Sequence, residues 1–163
     1  MDLIQDLQNA KREAERNGVD IEIRTFGHFT ILLNNTPVHF SRKASLDVMA
    51  YLVHNRGAVV NKEHIVDEVL NIDHYDKKVQ NRIHVILVSM KRDLKRYGID
   101  HILYVNSNEY AVLTDCFHCD YYEFLEQGVE SLKDDPSSYL TDYDWALNTR
   151  SFLENRYLNI YWK

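Results

Sequence analysis

The chain is short of the residues that build common catalytic motifs. Of its 163 residues, five are glycine and two are proline. The glycines are widely separated and form no phosphate-cradling loop, and neither an HExxH zinc motif nor a GxSxG nucleophile elbow occurs. No run of eighteen apolar residues is present, which excludes a membrane-spanning helix. The N-terminal stretch MDLIQDLQNAKREAERN has no apolar core of the kind a secretory signal needs. Two cysteines, Cys116 and Cys119, provide no disulfide framework. These absences predict a reducing compartment, the cytoplasm. Cys116-Phe117-His118-Cys119 has metal-like spacing, but no second CxxC or HxxxH accompanies it, and structural zinc takes four protein ligands. Cys119 therefore reads as a small core residue beside a helix cap at Asp120. No metal, cofactor, small-molecule substrate or enzymatic activity is expected.

Charge is abundant and unevenly placed. The formal net charge is −6. Residues 77–97 hold Lys77, Lys78, Arg82, Lys91, Arg92, Lys95 and Arg96 against Asp93 alone, a local +6, so the rest of the chain sums to −12. From Asp115 onward there are ten acids and four bases. Because charges in physiological salt act over roughly 8 Å, a local basic patch can serve while the distant surface stays acidic. The acidic remainder still weakens non-specific attraction to a polyanion.

The apolar pattern organises the chain. Leu3, Ile4, Leu7 and Ala10 predict a short amphipathic helix over 2–16, ended by Asn17-Gly18. The β-formers of IEIRTFGHFTILL, broken at Gly27, then Asn34-Asn35 and Thr36–Phe40, predict an N-terminal antiparallel sheet of three or four short strands. A helix capped by Ser41 follows, running to about Asn55 and stopped by Gly57, with Leu46, Met49, Ala50 and Val53 on its buried face. Asn61 caps a second helix carrying Ile65, Val66, Val69 and Leu70. A long third helix spans Lys77 to about Tyr97, closed by Gly98. Its stripe Val79, Ile83, Leu87, Met90 and Leu94 is spaced 4, 4, 3 and 4. Ile102–Val105 and Tyr110–Leu113 then form a hairpin about Asn106-Ser107-Asn108-Glu109. The aromatic tail predicts two more helices, Asp120–Lys133 and about Asp142–Tyr161, joined by DDPSS.

Sheet, two helices, basic helix and hairpin are, in that order, the parts of a winged helix-turn-helix. The expected fold class is α+β: an N-terminal antiparallel sheet, a three-helix core, a β-hairpin wing and a short helical extension. The expected divisions are 1–18 as helix or linker, 19–115 as the winged helix and 116–163 as the extension. A helix that enters the major groove needs one face buried in its own domain and the other free for bases and phosphates. The cations of 77–96, with Arg42 and Lys43, are the expected phosphate contacts. Asn81, His84 and Ser89 are expected to hydrogen-bond base edges, and Val85 and Val88 to meet thymine methyls. Asn106, Ser107 and Asn108 form the tip of a wing without Lys or Arg. The acidic total, the Val85/Val88 face and the uncharged wing also fit an alternative, a winged helix repurposed for protein–protein interaction or dimerisation.

Residues 21–126 resemble the OmpR/PhoB-type winged helix of the antibiotic-regulatory-protein family of bacterial transcriptional activators, and of relatives fused to response-regulator receivers. The resemblance is carried by IEIRTFGHFTILLNNTPVHFSRKASLDVMAYLVHNRGAVVNKEHIVDEVL, by VSMKRDLKRYGIDHILYVNSNEYAVL and by CDYYEFLE. The tail SSYLTDYDWALNTRSFLENRYLNIYW is similar to the start of a bacterial transcriptional activator domain. The resemblance implies sequence-specific binding of double-stranded DNA, direct repeats bound by tandem copies or a homodimer, and RNA polymerase as a partner of an activator. The chain departs from the pattern at three points. It holds no receiver domain, so the helix at 2–16 stands where a linker to one would lie. Its activator region is shortened to about two helices. Val88 and Ser89 occupy recognition-helix positions that are often Arg in the family.

Overall fold

The computed structural model describes residues 19–128 and 135–161 together with positions 5 and 131, with side chains described to residue 158. The helix expected over 2–16 lies outside the described residues, apart from Gln5.

The chain enters through β1 (Ile21–Arg24), β2 (Thr30–Leu33) and β3 (Thr36–Pro37). β1 and β2 pair antiparallel with Ile23 opposite Ile31, and β2 pairs antiparallel with β3. The β2–β3 turn is Asn34-Asn35, with φ of 48° and 68°. Two consecutive left-handed residues make the tight turn whose twist matches paired strands, and asparagine tolerates that conformation. Ile21 and Ile23 are buried while Glu22 and Arg24 face outward, the alternation of a sheet covered on one side.

A fourth strand completes this sheet from far along the chain. β7 (His118–Cys119) lies parallel to β1, with Ile23 opposite Cys119, giving the order β3-β2-β1-β7. The carboxylate of Asp120 strengthens the junction. It accepts the backbone N–H of Thr25 at 2.8 Å, the Thr25 hydroxyl, and the N–H of Phe26 at 3.2 Å. The start of the helical extension is thereby fixed to the end of β1.

Three helices form the core. α1 (Lys43–His54) has Arg42 at its N-cap with no side-chain capping bond. The capping role expected of Ser41 is not met, because its hydroxyl is directed to Asp93 instead. Val48 to Val53 are all buried, so the second half of α1 is enclosed on every side. The chain leaves α1 through Arg56 and Gly57 in left-handed conformation and forms β4 (Val60–Asn61). Asn61 then caps α2 (Lys62–Leu70), its side chain accepting the N–H of His64 at 2.8 Å. α3 (Lys77–Arg96) is capped by Asp76, whose carboxylate accepts the N–H of Val79 at 2.9 Å. β5 (Leu103–Asn106) and β6 (Glu109–Val112) follow as the expected hairpin, and β4 joins its inner edge in the order β4-β6-β5.

The extension packs into the same core. α4 (Asp120–Gln127) ends at Gly128, earlier than the expected Lys133, because Gly128 sits at a φ of 83°. α5 (Leu147–Tyr161) begins five residues later than expected. Residues 140–143 form a turn in its place, with Leu140 left-handed at φ 42°. Arg150 holds that turn, donating to the carbonyls of Tyr139 and Leu140 at 2.8 Å each and of Tyr143 at 3.0 Å. Tyr139, Leu140, Ala146 and Leu153 are fully buried beside Phe26, His54 and Phe124.

Candidate nucleic-acid interface

α3 is anchored along one side and free along the other. Val79, Ile83, Leu87, Met90 and Leu94 are all buried, as their spacing predicts, and Ile86 joins them. At 100° per residue, the opposite side is a ridge of Asn81, Val85, Val88 and Arg92, spaced 4, 3 and 4. Lys77, His84 and Lys95 border the ridge on one side, with Lys78 and Arg82 on the other. Asn81, His84, Val85 and Arg92 are exposed and Val88 is half-buried.

Two residues of this helix depart from the sequence-based reading. Ser89 was expected on the base-reading face, but it is only 7% exposed. It sits at the edge of the buried side and presents no hydroxyl to a groove. Asp93, the one acid in the basic segment, is 1% exposed. Its carboxylate accepts the Ser41 N–H and the Ser41 hydroxyl at 2.8 Å each, and an Arg96 N–H at 2.7 Å. The acid is thus withdrawn from the surface, and it pairs with Arg96, whose side chain stays exposed. Sequence reasoning missed this role, although Asp93 stands seven residues after Ile86 and so lies on the same side of the helix as a buried residue.

Among the described residues, no carboxylate lies within 4.0 Å of the charged end of Lys77, Lys78, Arg82, Lys91, Arg92 or Lys95. Lys91 instead leans over the ring of Tyr110 in β6, 5.9 Å from its centroid. Arg42 and Lys43 are exposed at the start of α1, with the Lys43 ammonium 3.8 Å from Asp47. Ser41 links that start to α3, so Arg42 and Lys43 share a rigid base with the basic helix.

Asn106, Ser107 and Asn108 are exposed at the tip of the β5–β6 hairpin, with Ser107 left-handed at φ 57°. The tip does not swing freely: the carbonyl of Asn108 accepts the N–H of Lys62 at 3.2 Å, tying it to the start of α2. The loop between α2 and α3 carries Asp73, His74 and Asp76, and His74 lies 3.3 Å from Asp73 and 3.6 Å from Asp76.

The Cys-Phe-His-Cys segment has a structural explanation. Cys116 and Cys119 are buried and His118 is exposed, so the three side chains do not share one environment. Burial pushes the Cys119 thiol far above its ordinary value, with the neighbouring Asp120 adding to the shift. A cleft beside it is lined by Arg56, His118, Tyr122 and Glu123, and a second by Asp47, Glu68, Tyr143 and Trp145. No residue of α3 lines either.

No family model matches this chain, and no curated protein does. Its fold is similar to that of EmbR from Mycobacterium tuberculosis, solved in complex with a low-affinity phosphopeptide. The TM-score is 0.62 and 16% of residues are identical. The likeness covers 86% of this chain and 43% of that one, so the chain spans less than half of its neighbour's length. The fold is a winged helix. Within it, α2 and α3 are the helix-turn-helix pair, with α3 its second helix, and β5–β6 is the wing. None of the described helices is long and apolar enough to cross a membrane.

Proposed function

We propose that this chain is a sequence-specific DNA-binding regulator of transcription, with α3 lying in the major groove and β5–β6 alongside. One observation carries the reading: α3 is locked to its domain by a buried stripe and a buried Asp93 clasp, while its outer side presents Lys77, Lys78, Arg82, Arg92 and Lys95 without acidic partners among the described residues. Cations at both ends of an exposed helix grip phosphates on either side of a groove, and the polar and apolar side chains between them meet base edges. The wing tip adds the neutral polar side chains of Asn106, Ser107 and Asn108, next to one acid, Glu109. Arg42 and Lys43 supply further phosphate contacts from the start of α1. The sequence resemblance described above supports an activator acting in the cytoplasm through RNA polymerase on direct repeats.

Salt titration of duplex binding tests the reading. Each phosphate contact contributes roughly −0.9 to the slope of log K against log salt. The expected result is strongly salt-dependent binding, with Arg82→Ala plus Arg92→Ala lowering the slope by about 2. Binding that ignores salt, or is untouched by the double substitution, would overturn the reading. It would favour a protein-interaction role for the same surface.

A further inference from the structure

The ridge of α3 has an apolar middle. Val85 is 45% exposed. It stands between Asn81 and Val88 on a helix whose remaining outward positions are nearly all polar or cationic. The withdrawal of Ser89 leaves Val85 and Val88 as the central groups of the ridge, with Asn81 before them and Arg92 after. No arginine stands at this centre to take the bidentate contact to guanine that is the commonest specific readout.

An exposed valine inside a cationic frame has two kinds of apolar partner, a protein surface or the C5-methyl group of thymine. The charges around it favour the second. Lys78, Arg82 and Arg92 lie within two turns of Val85 and have no acidic partner among the described residues. A second copy docking through the same face would bring like charges together, whereas a duplex surrounds its thymine methyls with phosphates.

Resting on the DNA-binding reading, we propose that α3 recognises a thymine-centred step in the major groove through the C5-methyl group. Val85 makes the contact, Val88 extends it and Asn81 reads a neighbouring adenine. The dimensions agree. Val85 and Val88 are separated by about 4.5 Å along the helix axis, and bases in one strand by about 3.4 Å, so the two valines span one to two base pairs. Asn81 lies one turn earlier, about 6 Å from Val85, in reach of an adjoining pair. The amide of asparagine matches the N6 donor and N7 acceptor of adenine. The preferred site is accordingly A·T-rich at its centre.

Selection from randomised duplexes defines the bound sequence, and each thymine in it is then replaced singly by uracil, which pairs identically and lacks only the methyl group. Losing one buried methyl contact is expected to weaken binding roughly fourfold at one or two central positions and nowhere else. Val85→Ala, an exposed substitution whose folding is checked by its melting temperature, is expected to weaken binding to the thymine duplex similarly and to become indifferent to uracil at that position. Uracil tolerated at every position, or Val85→Ala still discriminating thymine from uracil as the unaltered protein does, would overturn the thymine contact. If salt-dependent duplex binding persists in that case, the DNA-binding reading stands. Absence of duplex binding at low salt, with Val85→Asp shifting the sedimentation of the protein alone, would overturn both and assign the face to a protein contact.

Discussion

The carboxylate of Asp93 in α3 accepts both the backbone N–H and the hydroxyl of Ser41, each at 2.8 Å. Ser41 immediately precedes the N-cap of α1, so a single buried acid sets the position of α3 against the start of another helix. Hydrogen bonds to a charged acceptor are worth more than neutral ones, and removing the acceptor leaves two donors and Arg96 to find new partners. Asp93→Ala is expected to destabilise the fold by about 2–3 kcal/mol and Ser41→Ala by about 1 kcal/mol. Urea denaturation checks both values. Equal losses from the two substitutions would contradict an acid-centred clasp.

The same clasp divides two arginines that look equivalent in sequence. Arg96 is held by Asp93 at 2.7 Å, while Arg92 has no acidic partner among the described residues. Only an unengaged cation is fully free to displace counterions from a phosphate. Arg92→Ala is expected to lower the salt slope of duplex binding by about 1, and Arg96→Ala by less than half of that. A larger change for Arg96→Ala would show that its guanidinium leaves Asp93 on binding.

What the sequence made legible were features with a local cause. The Asn34-Asn35 turn, the Asn61 cap and the 4, 4, 3, 4 stripe of α3 each follow from residues within a turn or two of one another. Features set by distant contacts were not legible. The β7 strand is two residues long, too short for alternation to show, and its partner Ile23 is nearly a hundred residues away. Ser89 lies at the flank of the helical wheel, where only packing decides between core and surface. The late start of α5 depends on Arg150 reaching back to residues 139–143. The exposed cations near the two ends of α3 follow from its periodicity, but the inward turn of Asp93 required α1 in place.

His54 at the end of α1 gives the fold a pH dependence. Its Nδ1 lies 2.8 Å from the Tyr139 hydroxyl, and its ring packs on Trp145 at 5.0 Å. Burial lowers its pKa to about 4, with Arg56 adding to the shift. Burial also raises the Tyr139 hydroxyl well above its ordinary value, so the tyrosine keeps its proton and pairs as a neutral hydroxyl with the neutral imidazole. The unfolded chain takes up a proton near pH 6.5 that the folded chain refuses until about pH 4. Stability is therefore complete above pH 6.5, falls between those limits, and loses no more from this group below pH 4, the full loss being about 3 kcal/mol. Unfolding free energies at pH 7 and pH 4.5 are expected to differ less in His54→Gln than in the unaltered protein. An identical difference in both would exclude His54 as the source.

Arg150 is the corresponding fastener of the extension. Its guanidinium donates to three carbonyls, those of Tyr139, Leu140 and Tyr143. These groups surround Leu140, whose left-handed backbone at φ 42° is costly for a side chain branched beyond Cβ. A planar fork can serve several acceptors at fixed angles, and a lysine ammonium cannot reproduce that pattern. Arg150→Lys keeps the charge and is expected to cost about 1–2 kcal/mol, with Arg150→Ala costing more. The loss should be local in origin, because Tyr139 is fully buried between Phe26 and His54 and moves only if the 140–143 turn opens. Amide hydrogen exchange distinguishes that opening from general weakening. The Leu140 N–H, bonded to the Thr25 carbonyl at 2.8 Å, should lose protection in Arg150→Lys before the amides of α3 do. Simultaneous loss in both places would mean that the extension and the winged helix unfold as one unit.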